Sequence, residues 1–231
     1  MRSVRSGTAV LGPLCKACRA TALAPPPPLC TRCGLPLRAP ATTPGVPLCT
    51  PCRTQPPAFT VARGAALYDP AAGAAPPLVT ALHAFKYRGA RTLARPLAAF
   101  ITTRLPIPPR VVLVPVPLHR SRLRERRYNQ AALLVRAIAE CVSRPVVLQA
   151  LARRFATPSQ AGLDASQRRV NLTGAFVVAR PQAIADRHVL LIDDVITTGA
   201  TADACARALL AAGARRVDVY AVGRTPLGPR P

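Results

Sequence analysis

Short apolar runs alternate with alanine-rich stretches along the second half of the chain. Parallel strands covered on both faces have such uninterrupted apolar sequence, so the pattern predicts buried strands over 111–116, 188–194 and 216–222. Buried strands that alternate with helices predict an α/β domain with a parallel sheet flanked by helices. Ligands of such a sheet bind beyond the carboxyl ends of its strands, so functional residues are expected where these runs end.

The stretches between the strands have apolar residues at helical spacing. One predicted helix covers 129–142, with Asn129 as the residue that starts it. A second covers 202–212, with Thr201 as its expected N-cap and Gly213 as its end. Each predicted helix follows a predicted strand, as the α/β pattern requires.

Two carboxylates, Asp193 and Asp194, stand side by side at the end of one apolar run, in a chain with only nine acidic residues. Adjacent carboxylates repel each other unless a cation or hydroxyl donors lie between them, so the pair indicates a ligand. The stretch ITTGAT then leads into a helix, and its threonine hydroxyls, the amides around Gly199 and the helix N-terminus suit phosphate oxygens. A sugar phosphate with a free diol suits both features, because its hydroxyls can donate to the acidic pair and its phosphate can bind in the loop. An ordinary capped helix explains Thr201 but not the acidic pair.

A change of composition near residue 60 divides the chain into two predicted units. Residues 1–57 hold six of the eight cysteines and many prolines, which predicts a small cysteine module. Residues 58–231 carry the α/β pattern and are long enough for one sizeable core.

The cysteines of the first unit form three C-x-x-C pairs. The second and third pairs are 15 residues apart, a spacing typical of a zinc ribbon, and they predict one structural zinc on Cys30, Cys33, Cys49 and Cys52. A thioredoxin-like redox pair, the alternative, requires a βαβ context that this proline-rich segment lacks. The remaining pair, Cys15 and Cys18, fits half of a second ribbon whose other half precedes Met1.

The formal charge is +23, from 32 basic and 9 acidic residues, and all but two of the basic residues are arginine. This excess favours nucleic acid or phosphorylated ligands, with binding that weakens as salt rises. A GC-rich genome produces the same alanine-, proline- and arginine-rich composition, so both explanations stay open.

The apolar N-terminal stretch is broken by Gly12 and Pro13, and no small-residue cleavage site follows, which argues against an export signal. No apolar stretch approaches the roughly 18 residues of a membrane-spanning helix, so membrane insertion is not expected. A cytoplasmic location is expected, because thiols stay reduced there and paired cysteines then indicate metal.

The stretch VLLIDDVITTGAT (189–201) resembles the phosphoribosyl pyrophosphate (PRPP) motif of type I phosphoribosyltransferases. The resemblance implies that fold, with PRPP bound together with Mg²⁺ and with the ribose 2- and 3-hydroxyls on Asp193 and Asp194. It places the 5-phosphate in a loop of five residues: Thr197, Thr198, Gly199, Ala200 and Thr201. Purine-type members commonly carry Asp where this chain has Thr197, so the resemblance favours an amine acceptor if the chain is an enzyme.

Three further segments resemble the ComF family, which is associated with bacterial competence for DNA uptake: LHAFKYRG (82–89), VPVPLHRSRLRERRYNQ (114–130) and TPSQAGLDASQRRVNLTGAF (157–176). The resemblance implies a role in transformation, with single-stranded DNA and a competence helicase as partners. It implies pyrophosphate ligands at Arg120, Arg122, Arg126, Asn129 and Gln130. The family usually has Gly where this chain has Arg127. The third segment also resembles the mobile catalytic loop of glutamine PRPP amidotransferases, which implies loop residues Gln160, Arg168, Arg169 and Asn171.

Two classes of function are compatible with these features. In the first, the α/β domain is an enzyme that displaces pyrophosphate from C1 of PRPP. In the second, it is an inactive scaffold or a PRPP sensor, and the zinc ribbon and arginine-rich surface bind DNA or a helicase.

Overall fold

The predicted parallel sheet is present in the computed structural model, which describes residues 15–37, 46–70, 76–155, 172 and 174–226. The strands are β1 (Val61–Leu67), β2 (Val111–Pro115), β3 (Leu151–Arg153), β4 (Phe176–Val178), β5 (His188–Ile196) and β6 (Arg216–Arg224). The helices are α1 (Lys16–Ala20), α2 (Thr50–Thr54), α3 (Pro77–Tyr87), α4 (Ala94–Arg104), α5 (Arg120–Arg126), α6 (Gln130–Val142) and α7 (Ala200–Ala211). The main sheet has the order β1-β6-β5-β2 with all neighbours parallel, and β3 and β4 form a separate antiparallel pair.

The fold class predicted from the sequence is confirmed: a parallel sheet flanked by helices, with a small four-cysteine group near the N-terminus. Asn129 caps α6, since its side chain accepts hydrogen bonds from the amides of Ala131 and Ala132. The expected N-cap at Thr201 is wrong. Helix α7 begins two residues earlier than predicted, because Gly199 at φ +86° turns the chain directly into it, and Thr201 lies in its first turn.

Each face of the sheet is covered by a different group of elements. Helices α3, α4 and α6 pack on one face against Leu113, Leu190 and Val222. The other face, which includes Val112 and Val219, is covered by α7, the β3-β4 pair and the cysteine module. The cysteine module therefore belongs to the core beside the helix that follows the acidic pair. Among the described residues, no helix has the length and hydropathy to cross a bilayer.

Candidate functional site

The acidic pair lies at the carboxyl end of β5, a central strand of the sheet. Asp194 is buried and Asp193 is half-buried, and the Asp194 amide donates to the Asp193 carboxylate at 2.8 Å. The Asp194 carboxylate lies 3.1 Å from the ammonium of Lys86, near the end of α3. One buried lysine thus compensates part of the charge of two carboxylates.

The electrostatics of this cluster favour a ligand that donates hydrogen bonds. Burial, and then repulsion from Asp194, raise the pKa of Asp193 to about 7. Burial lowers the pKa of Lys86, but attraction to Asp194 and Asp193 outweighs this, so the net pKa is raised and the ammonium stays charged. Hydroxyl groups that donate to the carboxylates stabilise their ionised form without adding charge.

Lys86 is the main residue of this cluster that the sequence prediction missed. Its side chain is 16% exposed, and its ammonium lies 5.8 Å from the ring centroid of Tyr68, the residue after β1. The sequence does contain an indication of its role, because Lys86 is one of only two lysines in a chain whose other basic residues are arginine. Lysine provides a compact point charge that fits beside a carboxylate pair, whereas arginine needs room for a planar fork.

The loop after β5 forms the second part of the site. Thr197 is exposed and Thr198 is half-buried, and the Thr198 hydroxyl accepts a hydrogen bond from the Ala200 amide at 3.3 Å. Gly199 has φ +86°, a conformation that a side chain would strain, and it introduces α7 without a side-chain cap. The first amides of α7 therefore point toward the loop and make it suited to an anion.

The basic turn after β2 forms the third part. Because β2 pairs in parallel with β5, α5 lies at the same edge of the sheet as the acidic pair. The Arg126 guanidinium stacks on the ring of Tyr87 at 4.8 Å, and a pocket of about 240 Å³ between α3 and α5 is lined by Lys86, Tyr87, Gly89, Glu125, Arg126 and Arg127. Arg120 is exposed, and Arg122 is half-buried. Burial lowers the pKa of Arg153, and the nearby charge of Arg122 lowers it further while that of Asp193 raises it.

Two of the expected pyrophosphate ligands bond within the protein. The Asn129 amide donates to the Val116 carbonyl at 3.0 Å while its oxygen caps α6. Gln130 is buried, and its amide donates to the Lys86 carbonyl at 3.5 Å. Asn129 thus ties the end of the turn to the residue after β2, and Gln130 ties it to α3. Arg127 ends α5 with φ +63°, a conformation that suits glycine and is adopted here by arginine.

The expected loop residues Gln160, Arg168, Arg169 and Asn171 lie outside the described residues. The other predicted site residues are brought together at one edge of the sheet. The acidic pair lies at the carboxyl end of β5, and the loop before α7 follows it. The arginines of α5 follow β2, which is hydrogen-bonded to β5.

The four cysteines of the second and third pairs form a buried cluster, with all four sulfurs within 4.8 Å of one another. The Cys33 and Cys49 sulfurs are 3.6 Å apart, close to the roughly 3.8 Å edge of a tetrahedron with 2.3 Å zinc–sulfur bonds. Hydrogen bonds from Cys33 and Cys52 lower the pKa of Cys30 far below its ordinary value, and burial raises the pKa of Cys49 to about 11. The cluster has the geometry to hold a metal, and the ionisation of all four thiols requires such a cation.

No family model matches the chain. It is 37% identical over 124 residues to DNA utilization protein YhgH of Escherichia coli (strain K12), covering 54% of this chain and 53% of that protein. It is 36% identical over 113 residues to Competence protein F of Haemophilus influenzae, covering 48% and 49% of the two chains. Competence protein ComFC of Bacillus subtilis is 36% identical over 102 residues, covering 44% of this chain and 39% of that protein. The chain spans about half the length of the first two of these relatives.

Two solved structures illustrate what the fold is similar to. Glutamine PRPP amidotransferase from B. subtilis matches with a TM-score of 0.42 and 18% identity, over 60% of this chain and 30% of that chain. A hypoxanthine phosphoribosyltransferase from Staphylococcus aureus matches with a TM-score of 0.34 and 13% identity, over 62% and 76% of the two chains.

Proposed function

We propose that this chain, whose curated relatives support its membership of the ComF family, binds Mg²⁺-PRPP at the carboxyl edge of its sheet and serves the handling of incoming DNA in the cytoplasm. The observation that carries the proposal is the junction of β5 and α7. A carboxylate pair that needs hydroxyl donors is followed within three residues by a loop that suits a phosphate. A ribose 5-phosphate group presents both the hydroxyl donors and the phosphate that this junction requires.

The ribose is assigned to Asp193 and Asp194. In the free site Asp194 is paired with Lys86 at 3.1 Å, and the two carboxylates share one nearby ammonium. The 2- and 3-hydroxyls of the sugar donate to the carboxylate oxygens that Lys86 leaves available. Hydrogen bonds to a charged acceptor each contribute about 1.5–3 kcal/mol, so this contact carries a large share of the affinity.

The 5-phosphate is assigned to the loop from Thr197 to Thr201. The threonine hydroxyls at 197, 198 and 201 and the amides at the start of α7 supply neutral donors. The bound anion also gains from the positive end of the dipole of a 12-residue helix.

The pyrophosphate is assigned to the basic turn beside the pocket between α3 and α5, which Arg126 lines. Arg122, which is half-buried, and Arg120, which is exposed, are assigned as further ligands on the same helix. Guanidinium groups bind phosphate oxygens in a bidentate manner, and Lys86 lies between this pocket and the carboxylates. Asn129 bonds to Val116, directly after β2, and Gln130 bonds to Lys86 of α3. These two contacts keep the turn in place for the arginines. Mg²⁺ then neutralises part of the pyrophosphate charge.

The affinity for PRPP is expected to depend on pH through Asp193. Its pKa of about 7 means that near neutral pH a proton competes with the ribose hydroxyls. Binding favours the ionised carboxylate, so affinity rises as pH rises through 7 and levels off above it, with a gain of about tenfold between pH 6 and pH 8 for one proton. Calorimetric titration at both pH values measures this gain. Because PRPP itself titrates, Asp193→Asn is the control, and an equal gain in that variant contradicts the assignment.

Titration of the purified protein with PRPP and Mg²⁺ tests the proposed function directly. We expect saturable binding with one site per chain, and competition by ribose 5-phosphate. An absence of binding at millimolar PRPP refutes the proposal. Release of pyrophosphate is then compared between ammonium salts, purine bases and orotate, because the Thr197 hydroxyl cannot act as a base near neutral pH and an amine needs none.

A scaffold or sensor role is the second candidate, and the exposed arginines favour it. Arg120, Arg124 and Arg127 on or beside α5 are exposed, in a chain of +23 charge, and they offer phosphate contacts to single-stranded DNA. In this role the zinc ribbon and the arginine surface bind DNA or a helicase while PRPP acts as an effector. PRPP binding without turnover on any acceptor favours this candidate over the enzyme.

A further inference from the structure

A fully buried arginine, Arg224, lies between the cysteine cluster and the loop after β5. It is the last residue of β6 and is 0% exposed. On one side its Nε donates to the Cys33 carbonyl at 3.1 Å, and Nη2 lies 3.9 Å from the Cys33 sulfur. On the other side Nη1 donates to the carbonyls of Ile196, at 3.2 Å, and Thr197.

Within the part of the chain that the structure describes, Arg224 forms no ion pair with a carboxylate. Asp203 lines the same cavity, but its carboxylate is paired with Arg207 at 3.2 Å. All the hydrogen-bond acceptors that the described residues provide are backbone carbonyls, apart from the Cys33 sulfur. A buried guanidinium without a counter-charge is costly. Four thiolates and one divalent ion sum to a charge of −2, so a metal-loaded cluster provides that counter-charge at the distance of a charge-assisted N–H···S contact.

The other end of the guanidinium holds the start of the phosphate loop. The carbonyls of Ile196 and Thr197 are fixed by a group that is itself fixed at Cys33. A small cavity of about 50 Å³ is lined by Cys33, Thr198, Gly199 and Arg224, among others, so the cluster and the loop face the same space.

We infer that Arg224 is a positioning residue that couples the metal centre to the phosphate loop. The inference rests on the proposed function in one respect, that this loop binds the 5-phosphate. With metal bound, the −2 cluster holds the guanidinium, and the guanidinium holds the loop in the conformation that receives phosphate. Coupling between two sites is reciprocal in affinity, so phosphate in the loop also tightens metal binding, and we expect the tighter binding to be seen as slower metal release.

Two measurements that need no catalysis test the inference in metal-loaded protein. The first is the rate of metal release to a chromogenic chelator, with and without saturating ribose 5-phosphate. The second is amide hydrogen exchange of residues 197–200, which needs no ligand. In wild type we expect ribose 5-phosphate to slow metal release by about fivefold or more, because typical coupling changes affinity by at least about fivefold and most of an affinity change appears in the dissociation rate. Chelation of the metal is expected to raise exchange at 197–200 more than in α6.

Arg224→Lys separates charge from bridging. An ammonium keeps the counter-charge but lacks the planar fork that reaches both ends. We therefore expect nearly normal metal release without ligand, raised exchange at 197–200, and loss of the effect of ribose 5-phosphate. Arg224→Met removes both and is expected to release metal about tenfold faster, the order of one lost charge-assisted hydrogen bond. If Arg224→Met does not fold, the lysine variant alone carries the test.

Arg104→Met is the matched control. Arg104 also donates to three backbone carbonyls, those of Arg19, Ala22 and Ala65, but to no sulfur among the described residues. It is expected to leave both measurements unchanged. The inference is overturned if Arg224→Lys keeps wild-type exchange at 197–200, or if Arg224→Met keeps the wild-type rate of metal release. If wild type does not bind ribose 5-phosphate, the proposed function fails, while metal release and amide exchange still decide the role of Arg224.

Discussion

Replacing Asp193 and Asp194 together with alanine is expected to abolish PRPP binding, with a loss of affinity of about a hundredfold or more. The double variant loses at least two hydrogen bonds to charged acceptors, and each contributes about 1.5–3 kcal/mol to binding. The fold is expected to survive, because the pair repels itself at the end of its strand and only one lysine compensates it. Calorimetric titration with Mg²⁺-PRPP measures the effect, and circular dichroism and metal content check the fold.

Asp218→Ala provides the matched control for this experiment. Asp218 is a buried carboxylate in the neighbouring strand β6, paired with Leu190 of β5 near the amino edge of the sheet. It interacts with His188 at 2.8 Å and with Arg216 at 3.0 Å, so its loss costs stability. It is expected to leave PRPP affinity unchanged. Equal affinity of the Asp193/Asp194 double variant and wild type would refute the ribose assignment.

The sequence predicts the strands that carry the site because they are buried on both faces and therefore contain continuous apolar runs, 111–115 in β2 and 189–192 in β5. It does not predict β1, whose run VARGAAL contains Arg63 and Gly64. Gly64 is there because a side chain would come within 2.6 Å of Arg224, and Arg63 donates to the carbonyls of Thr31 and Arg32 at the edge of the sheet. Both causes are contacts between distant segments, which a local pattern does not contain.

The residues of the site also divide into those visible in a local sequence pattern and those that depend on contacts between distant segments. The acidic pair and the glycine loop are adjacent in sequence, so their chemistry is visible as a motif. The resemblance to the ComF family, carried by longer segments, agrees with the 36% identity to Competence protein F and to ComFC over 48% and 44% of this chain. Lys86 reaches Asp194 from a different helix, and Arg224 reaches Cys33 across 191 residues of sequence. Their roles depend on the packing of α3 and of the cysteine module against the sheet.

Loss of the metal is the second large effect that we expect, and Cys30→Ser is the variant that produces it. The chain is expected to bind one zinc, and this variant to bind almost none, because a closed tetrahedral site loses one of its four thiolates. The cysteines pack in the same core as Val112 and Val219, so the damage is not confined to the module. Since binding energy at such sites is folding energy, the unfolding midpoint is expected to fall by about 10 °C or more.

Cys15→Ser is the matched control for the metal experiment, because Cys15 belongs to the same type of C-x-x-C pair but is exposed and lies outside the four-sulfur cluster. Elemental analysis and thermal unfolding are measured on both variants and on wild type. Cys15→Ser is expected to keep one zinc per chain and the wild-type midpoint. Two zincs per chain in wild type, or loss of zinc in Cys15→Ser with retention in Cys30→Ser, contradicts the assignment. The buried cluster would then lack the −2 charge that Arg224 requires, and the loop before α7 would need another source of order.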